Sequence, residues 1–237
     1  MIPTRSPSGP GSLRACWIVA AKDLRLEGRT LDAISAMAVF SLIVLTVFNF
    51  AFDLTTVRAV GAPKLVPGVL WTTFTFAGII AFARSFQAER IRDSLAALVL
   101  SPVDRGALFA GKALANLVLV LALQAALLPL SAVFFDYDLP AVAPPLVFVV
   151  FLHTVGIAEL GTFFAAVAVR VGRGEALLAT LLFPVSSPLI ISAVKCTTAV
   201  LEQKPLAAVQ HWLLVAAGFD VLYFLVALVT FEYVLED

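Results

Sequence analysis

The chain has 237 residues; 61% are hydrophobic, 14% are charged, and 16 basic side chains balance 16 acidic ones. Mean hydropathy is +1.02, and the charged fraction is about half that of soluble domains, too little to clothe a soluble globule. A soluble enzyme, a disordered chain and a disulfide scaffold are excluded, zero net charge offers no bulk attraction to nucleic acid, and a polytopic helical membrane protein remains.

Residues 1–32 read as a basic N-terminal segment without a long apolar run, carrying Arg5, Arg14, Lys22, Arg25 and Arg29. No cleavable signal peptide is expected, and the first spanning helix serves as its own insertion signal. Within 13–26, Leu13, Cys16, Trp17, Ala20 and Leu24 follow helical spacing on one face, with Arg14, Lys22 and Arg25 opposite. That pattern predicts a helix lying in the membrane interface with Trp17 at headgroup level. Asp23 and Glu27 interrupt the edge of its apolar face, and Gly28 is the expected end.

Six apolar blocks follow, at about Ala33–Phe52, Pro67–Phe86, Leu108–Phe135, Ala141–Val169, Ala176–Cys196 and His211–Phe231. Each is long enough to cross roughly 30 Å of hydrocarbon, and each is apolar on every side, which predicts helices rather than barrel strands. Together they make a six-helix domain over residues 33–233, ahead of a short tail at 234–237. Five Lys or Arg precede the first block, five lie between Arg84 and Lys112, and two are Arg170 and Arg173; the other side has Arg58, Lys64, Lys195 and Lys204. Twelve against four places both termini in the cytoplasm. Cys16 and Cys196 then lie on opposite sides and cannot pair.

Pro184 and Pro188, in Leu181-Leu-Phe-Pro-Val-Ser-Ser-Pro188, each remove a backbone donor and predict a kink, or a helix break followed by a re-entrant segment. Ser186 and Ser187 read as donors to the carbonyls those prolines free, since no nucleophile elbow or dyad histidine supports a protease. Pro129 is expected to bend the third block near its outer end. The connection 87–106 contains a charged amphipathic stretch: Ile91, Leu95 and Leu98 form a stripe, Glu89, Arg90, Arg92 and Asp93 supply charge, and Ser101-Pro102 stops it. Such a helix either docks in a groove of a partner or is a solvated connector.

Gly106 to Lys112 has the spacing of a phosphate-binding loop, but Ala113 replaces the magnesium-binding hydroxyl and no strand precedes it. No ATP site is therefore expected on this chain, and Lys112 reads as an interfacial anchor that snorkels to headgroups. The histidines, His153 and His211, have no partner at metal-ligand spacing, and His153 and Glu159 point to different faces of one predicted helix. Haem ligation by a histidine and simple helix packing are both open, with packing the more economical. Glu159 and Asp220 fall inside the fourth and sixth blocks, where a carboxylate is costly and faces the bundle interior; a pathway role and a structural one are equally open.

Three stretches carry a resemblance. They are Pro67-Gly68-Val69-Leu70-Trp71; Phe86, Glu89-Arg90, Leu95 and Leu98-Val99-Leu100-Ser101-Pro102 followed by Gly111-Lys112 and Asn116; and Gly172-Arg173-Gly174, Leu177-Leu178, Leu182-Phe183-Pro184 and Pro188-Leu189-Ile190. With six spans and a basic N-terminal helix, the chain looks like an ABC-2-type transporter permease, and within that group it resembles the CcmB family of haem exporters in cytochrome c maturation. The likeness covers about residues 13–233. It implies a bacterial inner-membrane subunit that pairs with a separate ATPase resembling CcmA and works with CcmC- and CcmD-like membrane subunits. ATP hydrolysis on that partner would drive release of a haem-loaded CcmE-like chaperone. Haem is then a handled or transported ligand, and self-association as a dimer is a further expectation.

The resemblance also assigns the helix at about 86–100 to coupling, with Ile91, Leu95 and Leu98 filling a cleft on the ATPase and Glu89, Arg90 and Arg92 at its rim. Trp17, Trp71 and Trp212 are isolated, so the tryptophan-rich haem-handling motif of related maturation proteins is absent; that suits a coupling role. An ABC-2 permease for a drug, lipid or polysaccharide, and a coupling protein that transports nothing itself, are the competing readings.

Overall fold

The computed structural model describes residues 12–52, 54–91, 104–171 and 174–236. The described elements are α1 (Ser12–Thr30), α2 (Asp32–Ala51), the short α3 (Leu54–Val60), α4 (Ala62–Ile91), α5 (Arg105–Phe135), α6 (Leu139–Val171), α7 (Gly174–Leu201), a 3-10 turn (Leu206–Val209) and α8 (Gln210–Glu236). Six stretches are long and apolar enough to span a bilayer: α2, α4 as far as Phe86, α5, α6, α7 from Ala176, and Leu206–Phe231. The chain is an all-α, multi-pass membrane protein. The second span begins before Pro67, which sits inside α4, in its second turn, and removes one backbone donor there.

The spans alternate in direction, so one end of the bundle gathers α1, Arg84, Arg105, Lys112 and Arg170, and is called the basic end below. At that end Arg84 donates to the Asp32 carbonyl at 2.9 Å, tying α4 to α2. At the other end Asn49 of α2 donates to the Phe134 carbonyl of α5 at 2.7 Å. The element α6 packs against α4, α5, α7 and α8, and so forms the hub of the bundle. Trp71, Phe74, Phe82, Phe109 and Phe135 are fully buried within the bundle. By contrast α2 and α8 bury little; their outward Val, Leu and Phe side chains suit lipid, which is as apolar as they are.

Two local expectations are corrected. The first helix does not end at Gly28: it continues to Thr30 and stops at Leu31, whose φ is 55° and whose N–H bonds the Glu27 carbonyl at 2.7 Å. The Glu27 carboxylate then accepts the N–H groups of Ala33 and Ile34 at 2.7 and 2.9 Å. A carboxylate there meets the free donors and positive dipole end of α2, which fixes the turn between α1 and α2.

The second correction concerns Pro184 and Pro188. Both lie inside one continuous helix, α7, with no break or re-entrant segment. Side chains bond backbone carbonyls around the second proline. Ser187 Oγ donates to the Pro184 carbonyl at 2.8 Å, the group that Pro188 cannot bond, and Tyr223 OH of α8 donates to the Val185 carbonyl at 2.8 Å. Packing on α4, α6 and α8 holds the helix through the defect. Pro129 likewise sits within an unbroken α5.

Candidate functional site

The stretch singled out for coupling is only partly described. Glu89, Arg90 and Ile91 form the last turn of α4, while Arg92, Leu95 and Leu98 lie outside the described residues. The base from which that stretch departs is well defined. Phe86 is buried, and beside it Lys112 of α5 is 0% exposed. Lys112 Nζ lies 3.1 Å from Asp23 Oδ2 of α1, donates to the Ser85 carbonyl at 3.4 Å and stands 4.6 Å over the Phe86 ring. An ammonium taken from water needs such compensation: a carboxylate, a carbonyl and a ring face together supply it.

Lys112 therefore does not snorkel, and Asp23 is no blemish on α1. It is the counter-ion that docks α1 and also holds Lys22 at 3.1 Å. Ala15, Val19 and Ala20 are the buried face of α1, whereas Leu13 and Trp17 point outward, 89% and 67% exposed. Gly111 is where α1 crosses α5: a Cβ there would stand 2.7 Å from both the Cys16 carbonyl oxygen and Val19 Cβ. Only a glycine lets the two backbones approach so closely. The Gly111-Lys112 pair is thus a helix-crossing and ion-pair device. Desolvation at this seam raises the Cys16 thiol pKa.

Above the base, α5 and α6 run antiparallel and are joined by two polar rungs. Asn116 Nδ2 donates to Thr162 Oγ1 at 2.9 Å, and the Gln124 and Thr154 side chains meet at 3.0 Å. Both helices space these residues by eight positions, so the rungs are about 12 Å apart and fix one register. All four side chains are buried. The Thr154 hydroxyl lies within donating range of two acceptors, Gln124 Oε1 across the seam at 3.0 Å and the Val150 carbonyl on its own helix at 2.6 Å.

His153, next to Thr154, faces the other way and is fully buried. Its Nδ1 lies 2.8 Å from the Val149 carbonyl and its Nε2 2.9 Å from Ser192 Oγ, and Ser192 donates to the Trp212 carbonyl at 2.7 Å. The Trp71 ring is 5.5 Å away, and its Nε1–H donates to Thr197 at 2.8 Å. Both ring nitrogens are engaged by α6 and α7, as a packing histidine requires, so neither is presented to a ligand. His211 is exposed and lies against Trp212, ring centroids 5.2 Å apart.

Glu159 and Asp220 lie on the packed helices α6 and α8, within electrostatic range of each other. Asp220 Oδ1 packs against the α-carbon of Gly156, one turn from Glu159, where a Cβ would collide with it. Asp220 is 8% exposed, and Asp220 Oδ1 and Glu159 Oε2 are buried without a hydrogen-bond partner. His153 does not belong to this pair. No group of three metal-type ligands occurs among the described residues.

Reading the sequence missed Asp23, Glu27, Gln124 and the Thr154/Thr162 pair as structural partners. The signal was present: equal spacing of Asn116 and Gln124 on one block and of Thr154 and Thr162 on the next. Intramembrane polar residues at matching intervals on adjacent spans mark a hydrogen-bonded seam.

The comparisons agree with this architecture. A family model described as CcmB protein matches residues 14–235. The Heme exporter protein B of Paracoccus denitrificans (strain Pd 1222) is 33% identical over 173 residues, which cover 72% of this chain and 76% of that relative. With six spans, a docked basic helix and a family match over nearly its whole length, the chain belongs to the CcmB family.

Proposed function

We propose that the chain is the membrane component of an ATP-binding-cassette system that serves haem export, or haem-chaperone release, in c-type cytochrome maturation. The family match over residues 14–235 carries this reading, and the name of the Paracoccus relative supports haem as the substrate handled. The chain sits in the bacterial inner membrane with both termini cytoplasmic, an orientation supported by the excess of Lys and Arg at the basic end. ATP is hydrolysed on a separate CcmA-like protein. CcmC- and CcmD-like membrane proteins and a CcmE-like chaperone complete the assembly.

In this reading the ATPase receives the segment at about 86–100, with Ile91, Leu95 and Leu98 as apolar anchors. Motion of that segment reaches the bundle through the last turns of α4, where Ser85 and Phe86 hold Lys112, and Lys112 holds α1 through Asp23. The polar rungs then keep α5 and α6 moving as one body. The test is complementation of a bacterial strain whose own CcmB gene has been deleted, read by haem staining of c-type cytochromes. Expression of this chain together with its cognate ATPase restores stained cytochromes; normal membrane insertion with no restored staining contradicts the proposal.

A further inference from the structure

The most unusual chemistry in the bundle is used neither by the coupling base nor by the polar rungs. Glu159 of α6 and Asp220 of α8 each place a carboxyl oxygen in the protein interior with no hydrogen-bond partner. Gly156 leaves the space into which Asp220 fits, and Leu189 of α7 closes the same point, 2.8 Å from where a Cβ would stand. Glu159 is three residues further along α6, so it shares that helix face and lies within electrostatic range of Asp220.

No cation among the described residues is shown paired with them. Neither residue is in an ion pair among the described residues. The ionisable groups on the packed elements are engaged or distant. Tyr223, one turn beyond Asp220, gives its hydroxyl to the Val185 carbonyl. His153 is bound to Val149 and Ser192. Lys112 of α5 is held at the basic end. On α4, Lys64 and Arg84 lie near the two helix ends, and Lys195 of α7 is exposed.

We propose that Glu159 and Asp220 form an intramembrane proton-binding site, in which one proton is shared between the two carboxyl groups and holds α6 against α8. Two carboxylates, Asp220 buried and Glu159 half-buried with one oxygen enclosed, would repel each other across the seam without compensation, whereas a carboxylic acid beside a carboxylate would satisfy both orphaned oxygens with one hydrogen bond. A metal cation is the alternative ligand, but it needs about six oxygens; leucine, glycine and an already committed tyrosine surround this pair. The site is a proton-dependent latch: occupied, it closes the α6–α8 seam; vacated, it drives the two helices apart. It stands independently of the proposed haem function.

Infrared spectroscopy of the full chain in lipid bilayers at about pH 8 reads the carbonyl stretch of protonated carboxyls, apart from the ionised surface carboxylates. The difference between wild type and the isosteric double variant Glu159→Gln/Asp220→Asn should equal one protonated carboxyl per chain. Zero, or two, overturns the shared proton. A band that disappears on adding sodium or potassium at constant pH identifies a metal-cation site and also overturns it. If the double variant does not fold, dicyclohexylcarbodiimide labelling of the wild type decides. The acid O–H adds across the carbodiimide, oxygen to carbon and proton to nitrogen, so only a protonated carboxyl reacts. An adduct mapped by mass spectrometry to Glu159 or Asp220 supports the site; adducts on neither residue overturn it.

Discussion

At the residue scale, Lys112 shows how burial changes what a charged side chain means. The same lysine at a helix end, exposed, would be worth little; enclosed by Asp23, Ser85 and Phe86 it becomes a fastening between three helices. Removing one partner of a buried ion pair costs ~3–5 kcal/mol. Asp23 keeps Lys22 and some solvent contact, so Lys112→Ala should cost less, about 2 kcal/mol, read as a lower unfolding midpoint in lipid nanodiscs. An unchanged midpoint would contradict the role assigned to the pair.

Gly111 tests the same seam differently. Gly111→Leu should lift α1 from α5, because the clash is with backbone and a Cβ rather than a flexible tip. In a Cys196→Ala background the thiol of Cys16 reports this. Its pKa is raised by burial, so at neutral pH less of it is thiolate and alkylation is slow, quickening only as pH rises. Displacing α1 should move the thiol back toward ordinary behaviour and speed maleimide labelling; equal rates would show that α1 is not held there.

At the element scale, the paired polar rungs set the register of α5 against α6. In membranes such bonds average about 0.6 kcal/mol and reach ~1.7 kcal/mol, because the separated helices find other partners. A double-mutant cycle of Asn116→Leu with Thr162→Val should return a coupling of that order, and a coupling near zero would deny the rung any energetic role. This scale also shows where sequence reading stops. The six blocks were legible because hydrocarbon imposes length and apolarity on every span. The prolines of α7 were legible as defects, but not as defects absorbed: Ser187 was recognisable as a nearby donor, whereas the contribution of Tyr223, 38 residues away, depends on tertiary packing. Gly28 misled for a similar reason, since the helix end is set by Glu27 reaching into the next helix. Glu159 and Asp220 were each visible as costly intramembrane carboxylates; their proximity depends on the packing of α6 against α8.

At the scale of the whole molecule, six spans with α1 docked across the basic end form a body whose hub is α6 and whose outer faces on α2 and α8 are apolar. If Lys and Arg set the orientation, Lys204→Cys should be labelled from the periplasm and Arg92→Cys from the cytoplasm; the reverse pattern would invert the topology. The proposed coupling has an external ATPase work this body through residues 86–100, of which 92–100 lie outside the described residues. A well-packed apolar anchor commonly contributes about 2 kcal/mol or more to an interface, and a rim charge less. The most direct measurement is therefore co-purification of the ATPase with Leu95→Ala and Leu95→Asp, alongside ATP-dependent release of the haem chaperone, with Lys64→Ala as a control at the opposite end. Coupling through residues 86–100 requires that the Leu95 variants insert normally, lose the ATPase and fail to release the chaperone, while Lys64→Ala keeps both. Full ATPase binding and coupled release in the Leu95 variants would contradict it.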